Sequence, residues 1–412
     1  MNEKIIFNKV LMKNILVFTT TFPKFTTWDA TPGFVYDLSK RLQKLWLQII
    51  VLTPRVPWSK KYEEKDWMKI YRYSYFFTDK LEKLNDWAIL PNLKQNKLLY
   101  FQVPFLLLFW FINLVKLVKK EKIDTIHAHW IIPQWFLAVL YKKIFNKKIK
   151  IICTSLWADI FWLKGFIGTT IKKYTLKHID YLTVMTFAMK VESQLLWIKK
   201  NKIEVIPMWV DTNIFNPNKF DKSIRKRYDI NEKLLLFVGR LAEKKWVYYL
   251  IEAMKLITKK YSKTKLIIIW NGPLENKLKK QVNKLNLKNN VIFISSMEHN
   301  KLAIYYATAD LFIWPSIIAK DWDREWLPVS FIEAISSWTL LLWTDLPWNK
   351  DLIIEWKNWY FIKQKDSEDI YRKVIKIIEN KNNIFKKNKF WNVINSKFSW
   401  EIISKKYFNL IK

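Results

Sequence analysis

The stretch LIIIWNGPLENKL, residues 266–278, decides the fold. An apolar run from Leu266 to Ile269 ends in Asn271-Gly272-Pro273, and a polar helical segment follows. Strand, sharp turn and helix in that order make the repeating unit of a parallel α/β sheet. At the strand exit the chain must bend and often needs a positive φ, so a small residue is expected there. The sequence instead has Trp270, the bulkiest side chain available.

Composition sharpens the anomaly. The chain has 412 residues, half of them hydrophobic, which fits two or three globular domains with ample cores. It contains 5 glycines and 24 tryptophans. Glycine normally makes up about 7% of residues, so roughly 29 would be usual in a chain of this length. The two counts together, 24 + 5, reach that figure, which puts most tryptophans at glycine positions. The formal charge of +35, from 71 Lys+Arg against 36 Asp+Glu, favours anionic partners such as phosphate-bearing substrates or acidic membranes. Abundant Lys, Ile and Asn, as an AT-rich genome produces, account for part of it. No basic motif with interleaved aromatics reads as a nucleic-acid surface, and no nucleic-acid partner is expected.

The single cysteine, Cys153, excludes an intrachain disulfide and fits a reducing, cytoplasmic compartment. The opening MNEKIIFNKVLMKNILVF has no cleavage site, so no signal peptide is expected. The apolar run LLYFQVPFLLLFWFINLVKLV, 98–118, approaches membrane-spanning length but is interrupted by Gln102, Pro104, Asn113 and Lys116. It reads as a core or amphipathic helix, with peripheral contact to the inner membrane face expected rather than a span.

Short apolar strands alternate with helical stretches along the whole chain. Strands are expected at 14–20, 47–54, 124–129, 150–153, 181–185 and 202–208. After a polar stretch, 211–233, read as a linker, further strands are expected at 234–240, 265–270, 290–295, 310–316, 339–344 and 359–363. The expected fold class is therefore α/β, with two Rossmann-like doubly wound domains facing across a cleft and ligand beyond the strands' carboxyl ends. The expected division is 1–211 as one domain and 212–395 as a second, followed by a C-terminal segment, 396–412. No tandem repeat of solenoid length is present.

From the linker onward the chain carries IPMWVDTNIFNP, FVGRLAEKKWVYYLIEAM, WNGPLE, ADLFIWPS and EWLPVSFIEAISSW in that order. The first half carries FTTTFPKFTTWDATPGFVYDLSKRLQKLWLQIIVLTP and IDTIHAHWIIPQW, and the chain closes with FSWEIISKKYF. In these motifs the sequence resembles glycosyltransferase family 4, the retaining enzymes of GT-B fold, over nearly its whole length. The family pattern has glycine where this chain has Trp28, Trp46, Trp135, Trp157, Trp197, Trp209, Trp246, Trp270, Trp326, Trp338, Trp343, Trp348, Trp356 and Trp359. By contrast, Trp130 in HAHW and Trp400 in FSWE match tryptophan or aromatic positions. One oversized side chain in a packed site costs roughly 1–3 kcal/mol, and an unfavourable φ adds about 1–3 more. A dozen such sites would exceed the roughly 5–15 kcal/mol stability of a domain. UGA codons read as glycine in the source, but translated here as tryptophan, explain the pattern.

The resemblance also assigns chemistry. Arg240 and Lys245, after the FVG strand, match the pair that grips the donor diphosphate, where fixed cations favour the developing charge of the leaving group. The planar fork of Arg240 and the point charge of Lys245 suit that role. Glu325 and Glu333 form the E-x7-E signature: Glu333 accepts from the ribose hydroxyls, and Glu325 faces the donor sugar and its developing positive charge. Glu325, Arg240 and Lys245 are the catalytic candidates. Leu327, Pro328 and Val329 line the sugar and phosphate pocket, and Pro328 is expected to open a helix whose free N–H groups hold an anion. Near the first strand, Gly33 and the Trp28 position let backbone approach the diphosphate.

His127 and His129 flank Ala128 at a strand end and point to the same side. They are acceptor-side candidates, with a structural role equally open. In CTSLWADI the histidine usual in the family is replaced by Leu156, while Asp159 stays as an acceptor-side candidate. The DWDRE run, 321–325, imitates a metal-binding D-x-D but reads as loop charge here, so neither metal nor cofactor is expected.

The activity implied is retaining transfer of a hexose from a nucleotide-sugar donor to a glycan or lipid-linked acceptor, in cell-surface polysaccharide assembly such as exopolysaccharide or capsule. The alternatives are a sugar-nucleotide epimerase of the same fold, or a catalytically dead chain if the tryptophans are real.

Overall fold

The computed structural model describes residues 13–23, 33–56, 58–78, 81–84, 89, 92–93, 96–155, 165–318, 328–346, 360–379 and 396–412. The chain divides into two compact units. The first comprises Met1–Met185, Met189–Ile206 and Ser404–Lys412; the second comprises Thr186–Ala188 and Pro207–Ile403.

In the first unit the strands are β1 (Asn14–Phe18), β2 (Gln48–Pro54), β3 (Tyr62–Lys65), β4 (Met68–Tyr73), β5 (Thr125–His129), β6 (Lys150–Thr154), β7 (Tyr181–Val184) and β8 (Ile203–Val205). They form one sheet in the order β3-β4-β2-β1-β5-β6-β7-β8. All neighbours pair in parallel except the antiparallel hairpin β3–β4. Chain order reverses at β1, between β2 and β5, so this sheet has its switch point there. The run NILVF is buried on both faces apart from its first residue, as a central strand of a parallel sheet must be.

The second unit has β9 (Leu234–Val238), β10 (Lys265–Ile269), β11 (Val291–Ile294), β12 (Leu311–Trp314), β13 (Leu340–Thr344) and β14 (Tyr360–Ile362). They are arranged β11-β10-β9-β12-β13-β14, all parallel. Its switch point lies between β9 and β12. The fold class expected from sequence is the one observed, two parallel-sheet α/β units.

One expectation is corrected. The 211–233 stretch is not a linker. Asp221 caps the helix Lys222–Arg227 by accepting from Ser223 N–H, Phe215 is buried, and Arg225 lies 3.0 Å from Asp310. A cap, an apolar anchor and an ion pair fasten the segment onto the second unit. The β3–β4 hairpin was not foreseen. Its two-residue turn is Asp66-Trp67, with φ of 48° and 64°. A type I′ turn needs positive φ at both central residues, and Asp-Gly is its usual signal.

Trp67 belongs to a larger set. Of 13 non-glycine residues with positive φ among the described residues, 8 are tryptophan: Trp46, Trp58, Trp67, Trp130, Trp197, Trp246, Trp270 and Trp338. For an L-residue the left-handed region costs about 1–2 kcal/mol. Of the other positions read from sequence as glycine, Trp135, Trp209 and Trp343 lie outside this set. Trp28, Trp157, Trp326, Trp348, Trp356 and Trp359 lie outside the described residues.

Candidate active site

Arg240, Lys245 and Glu333 lie on the segments that follow β9 and β12, the two strands at the switch point of the second sheet. After β9 the chain continues through Gly239 and Arg240 to a short helical turn, Glu243–Lys245, and then the helix Val247–Lys260. After β12, Pro315 and Ser316 lead toward the helix Val329–Ser336. A backbone bond from Ile317 N–H to Lys244 C=O, 2.9 Å, ties the two exits together. The NGP turn after β10 completes the floor. Leu241 N–H donates to Asn271 C=O at 3.2 Å, and Leu274 N–H donates to Leu241 C=O at 3.1 Å.

Arg240 is exposed at this end of the sheet, whereas Lys245 is only 8% exposed. The Lys245 ammonium stands 3.8 Å from the centre of the Trp314 ring, which stacks on Phe237 at 5.3 Å and meets Phe331 edge-on at 5.5 Å. A desolvated cation over an indole is held by about 2 kcal/mol. The indole also fills the space beside Gly239, where an added Cβ would lie 2.9 Å from it. Trp314 thus links the cationic loop to the helix that bears Glu333. Sequence reasoning missed it because a strand-end aromatic reads as ordinary core.

Glu333 sits one turn into its helix, 7% exposed. Burial pushes its carboxyl up to about 7, partly offset by the Tyr306 hydroxyl. A carboxyl this poised gains most from hydrogen-bond donors that favour its charged form. Pro328 is the cap residue, one position before the helix rather than within its first turn, and its side chain makes no cap bond. Val329 opens the helix. Glu325, Leu327 and the DWDRE run lie outside the described residues, as does Asp159.

In the first unit, Gly33 precedes the helix Phe34–Lys44 with φ of −70°, an ordinary value, and an added Cβ would meet only the Asp37 carboxylate at 3.3 Å. Gly33 therefore has no conformational need to be glycine. His127 and His129 share a face of β5 with ring centres 4.3 Å apart, and both are buried. His127 Nε2 is 2.8 Å from Thr154 Oγ1, in a buried polar chain that continues to Thr183 and the Tyr407 hydroxyl. Burial pushes His127 down to about 3. His129 is also held well below its usual range, by burial and by the neighbouring His127. His127 thus has a structural place. The ring nitrogens of His129 have no hydrogen-bond partner among the described residues, and Phe34 packs against its ring at 5.7 Å. Among the described residues no group of three or more His, Cys, Asp or Glu side chains could hold a metal ion.

Comparison with known proteins bears on the family and the fold. Residues 34–214 match the family described as Glycosyltransferase Family 4, and residues 220–391 match Glycosyl transferases group 1. An uncharacterised glycosyltransferase of Methanocaldococcus jannaschii is 30% identical over 255 residues, 57% of this chain and 58% of that protein. A second from the same organism is 25% identical over 375 residues, 87% of this chain and 88% of its own. The amylovoran biosynthesis glycosyltransferase of Erwinia amylovora is 31% identical over 136 residues, 33% of this chain and 32% of that protein. Among solved structures, sucrose-phosphate synthase from Thermosynechococcus elongatus superposes with a TM-score of 0.74 at 16% identity, covering 97% of this chain and 98% of that one. Anabaena HepE in complex with UDP gives 0.71 at 13% identity, covering 97% and 99%. These likenesses fix the fold as GT-B. The chain belongs to the group 1, family 4 glycosyltransferases.

Proposed function

We propose that this chain is a retaining glycosyltransferase that takes a hexose from a nucleotide-sugar donor bound on its second unit. The observation that carries the reading is the pairing at the β9/β12 switch point. Arg240 and Lys245 follow one strand, and the buried carboxyl of Glu333 sits on the helix that follows the other. Cations suit a diphosphate, and a buried carboxylate suits ribose hydroxyls. Glu325, Leu327, Pro328 and Val329 are assigned to the donor sugar pocket, and Gly33, His129 and Asp159 to the first unit's share of the ligands. HepE, crystallised with UDP, supports a uridine nucleotide as the first donor to test. Transfer is expected to need no metal and no cofactor.

The acceptor in this reading is a glycan or a lipid-linked glycan at the cytoplasmic membrane face, in cell-surface polysaccharide synthesis. The amylovoran enzyme supports that class. The membrane side rests on the helical segment Lys97–Lys120, long and apolar enough to cross a membrane by length and composition, with only 28% of its most apolar window buried. Leu98, Phe101, Leu108 and, nearby, Phe77 are exposed. Together with the charge of +35, such a surface suits peripheral docking to an anionic bilayer.

The test is turnover of UDP-sugars with and without a lipid-linked acceptor, with EDTA in a parallel arm. Glycoside formation only with acceptor, unaffected by EDTA, is expected. UDP released without acceptor would favour epimerase chemistry, and activity restored only by manganese would overturn the metal-free reading.

A further inference from the structure

We infer that the working chain carries glycine, not tryptophan, at positions 46, 58, 67, 197, 246, 270 and 338. Five of these were read as glycine positions from sequence pattern; Trp58 and Trp67 are assigned by the backbone alone.

Each site is a local motif whose geometry calls for glycine. Trp46, Trp197 and Trp338 stand two residues past the ends of the helices Phe34–Lys44, Phe187–Leu195 and Val329–Ser336, with φ of 68°, 69° and 63°. Their amides close the last turn onto Gln43, Gln194 and Ile335 carbonyls. A left-handed residue just past the last turn is the common helix stop, and glycine is its usual occupant. At 338 the next amide, Thr339 N–H, reaches back to Ala334 C=O at 2.9 Å, completing a Schellman pattern. Trp67 is the second residue of the I′ hairpin turn described above, where Asp-Gly is favoured. Trp58 stands third in the sequence Val-Pro-Trp-Ser, with φ of 69° and Ser59 N–H donating to Val56 C=O at 3.1 Å. Proline then glycine is the type II turn signature. Trp246 enters the helix Val247–Lys260 at φ 38°, and Trp270 leaves β10 at φ 126°. Only glycine reaches that last region without steric conflict.

Four of the side chains bury little of themselves, although Lys173 stands 4.8 Å from the centre of the Trp197 ring and Trp246 stacks on Tyr249 at 5.7 Å. Trp46, Trp58, Trp67 and Trp197 are 71%, 87%, 85% and 80% exposed. Trp246 buries its indole Nε1–H with no hydrogen-bond partner among the described residues. An indole normally repays its size by burial and by a partner for its N–H. The remaining positive-φ residues include Asp66, Asp229 and Asn286, types that tolerate the region. Trp130 also has positive φ, but in HAHW it matches a tryptophan or aromatic position by the family resemblance, so it is left out of the seven.

The direct test is peptide mass spectrometry of the native protein isolated from its source cells, with Trp400 as internal control. Glycine masses at 58 and 67, beside tryptophan at 400, are expected, and tryptophan at 58 and 67 would overturn the inference. The gene gives an independent readout: UGA at the seven codons with UGG at 400 is expected, and UGG throughout would sink it. A recombinant chain with all seven positions changed to glycine should melt several degrees above the tryptophan chain; an equal or lower melting temperature would count against the assignment. None of these readouts depends on transferase activity, so a failed donor assay leaves them standing.

Discussion

Gly272 is pressed against Leu241: a Cβ added to the glycine would lie 2.5 Å from the Leu241 amide nitrogen and carbonyl oxygen. The turn after β10 and the loop carrying Arg240 therefore share one backbone-to-backbone contact with no room for a methyl group. Overpacking of this kind costs about 1–3 kcal/mol. Gly272→Ala is expected to lower the melting temperature, by roughly 2–4 °C per kcal/mol for a unit of this size, and to weaken donor binding as the loop shifts. Thermal unfolding checks the first, and calorimetric titration with UDP the second. An unchanged melting temperature would contradict the close contact.

Glu333 should make both stability and nucleotide affinity depend on pH. Burial raises its folded value to about 7 from an ordinary 4.5, so folding favours the protonated form. Its stabilising contribution is whole below about pH 4.5 and is lost as pH rises through about 7. Donor binding runs the other way, because ribose hydroxyls donate best to the charged carboxylate. UDP affinity should therefore strengthen between pH 6 and 8, with a proton released on binding. Glu333→Gln should flatten both profiles. A pH-independent affinity in the unaltered protein would show that Glu333 does not meet the nucleotide.

Removing the cations should cost transfer more than stability. Lys245→Ala and Arg240→Ala are each expected to lower kcat/KM by roughly a hundredfold or more, the scale of losing one positioned charge-stabilising donor. The melting temperature of Arg240→Ala should change little, since the side chain is exposed. Wild-type rates in both variants would remove the diphosphate site from β9.

Membrane docking is checked by sedimentation with vesicles. Binding to vesicles containing anionic lipid is expected at low salt, with release as salt rises. Phe77→Ser with Phe101→Ser should weaken it without altering turnover of a soluble acceptor, because both rings are exposed. Recovery in the supernatant at every salt concentration would contradict the surface assignment.

Much of the fold was legible because each parallel strand is a short apolar run bounded by helical stretches; β9 to β14 appear almost where the apolar runs stand. The β3–β4 hairpin was not legible, since its signal is a turn residue and the sequence has Trp67 where Asp-Gly would announce it. The 211–233 stretch looked like a linker because its anchors, Asp221 as cap and Arg225 on Asp310, are polar. At the site, Arg240, Lys245 and Glu333 could be named from spacing and resemblance. The tie from Ile317 to Lys244, the Trp314 indole beneath Lys245 and the fit of Gly272 on Leu241 could not, because they join elements distant in sequence. His127 shows the converse: a conspicuous histidine whose ring is committed to Thr154 in the core.

The most direct measurement of the central claim is proton NMR of the product formed by native protein from an α-linked UDP-hexose and a lipid-linked acceptor. A new glycosidic bond with the donor's α configuration is the result this account predicts. A β-linked product, or hexose converted without any bond to the acceptor, would contradict it.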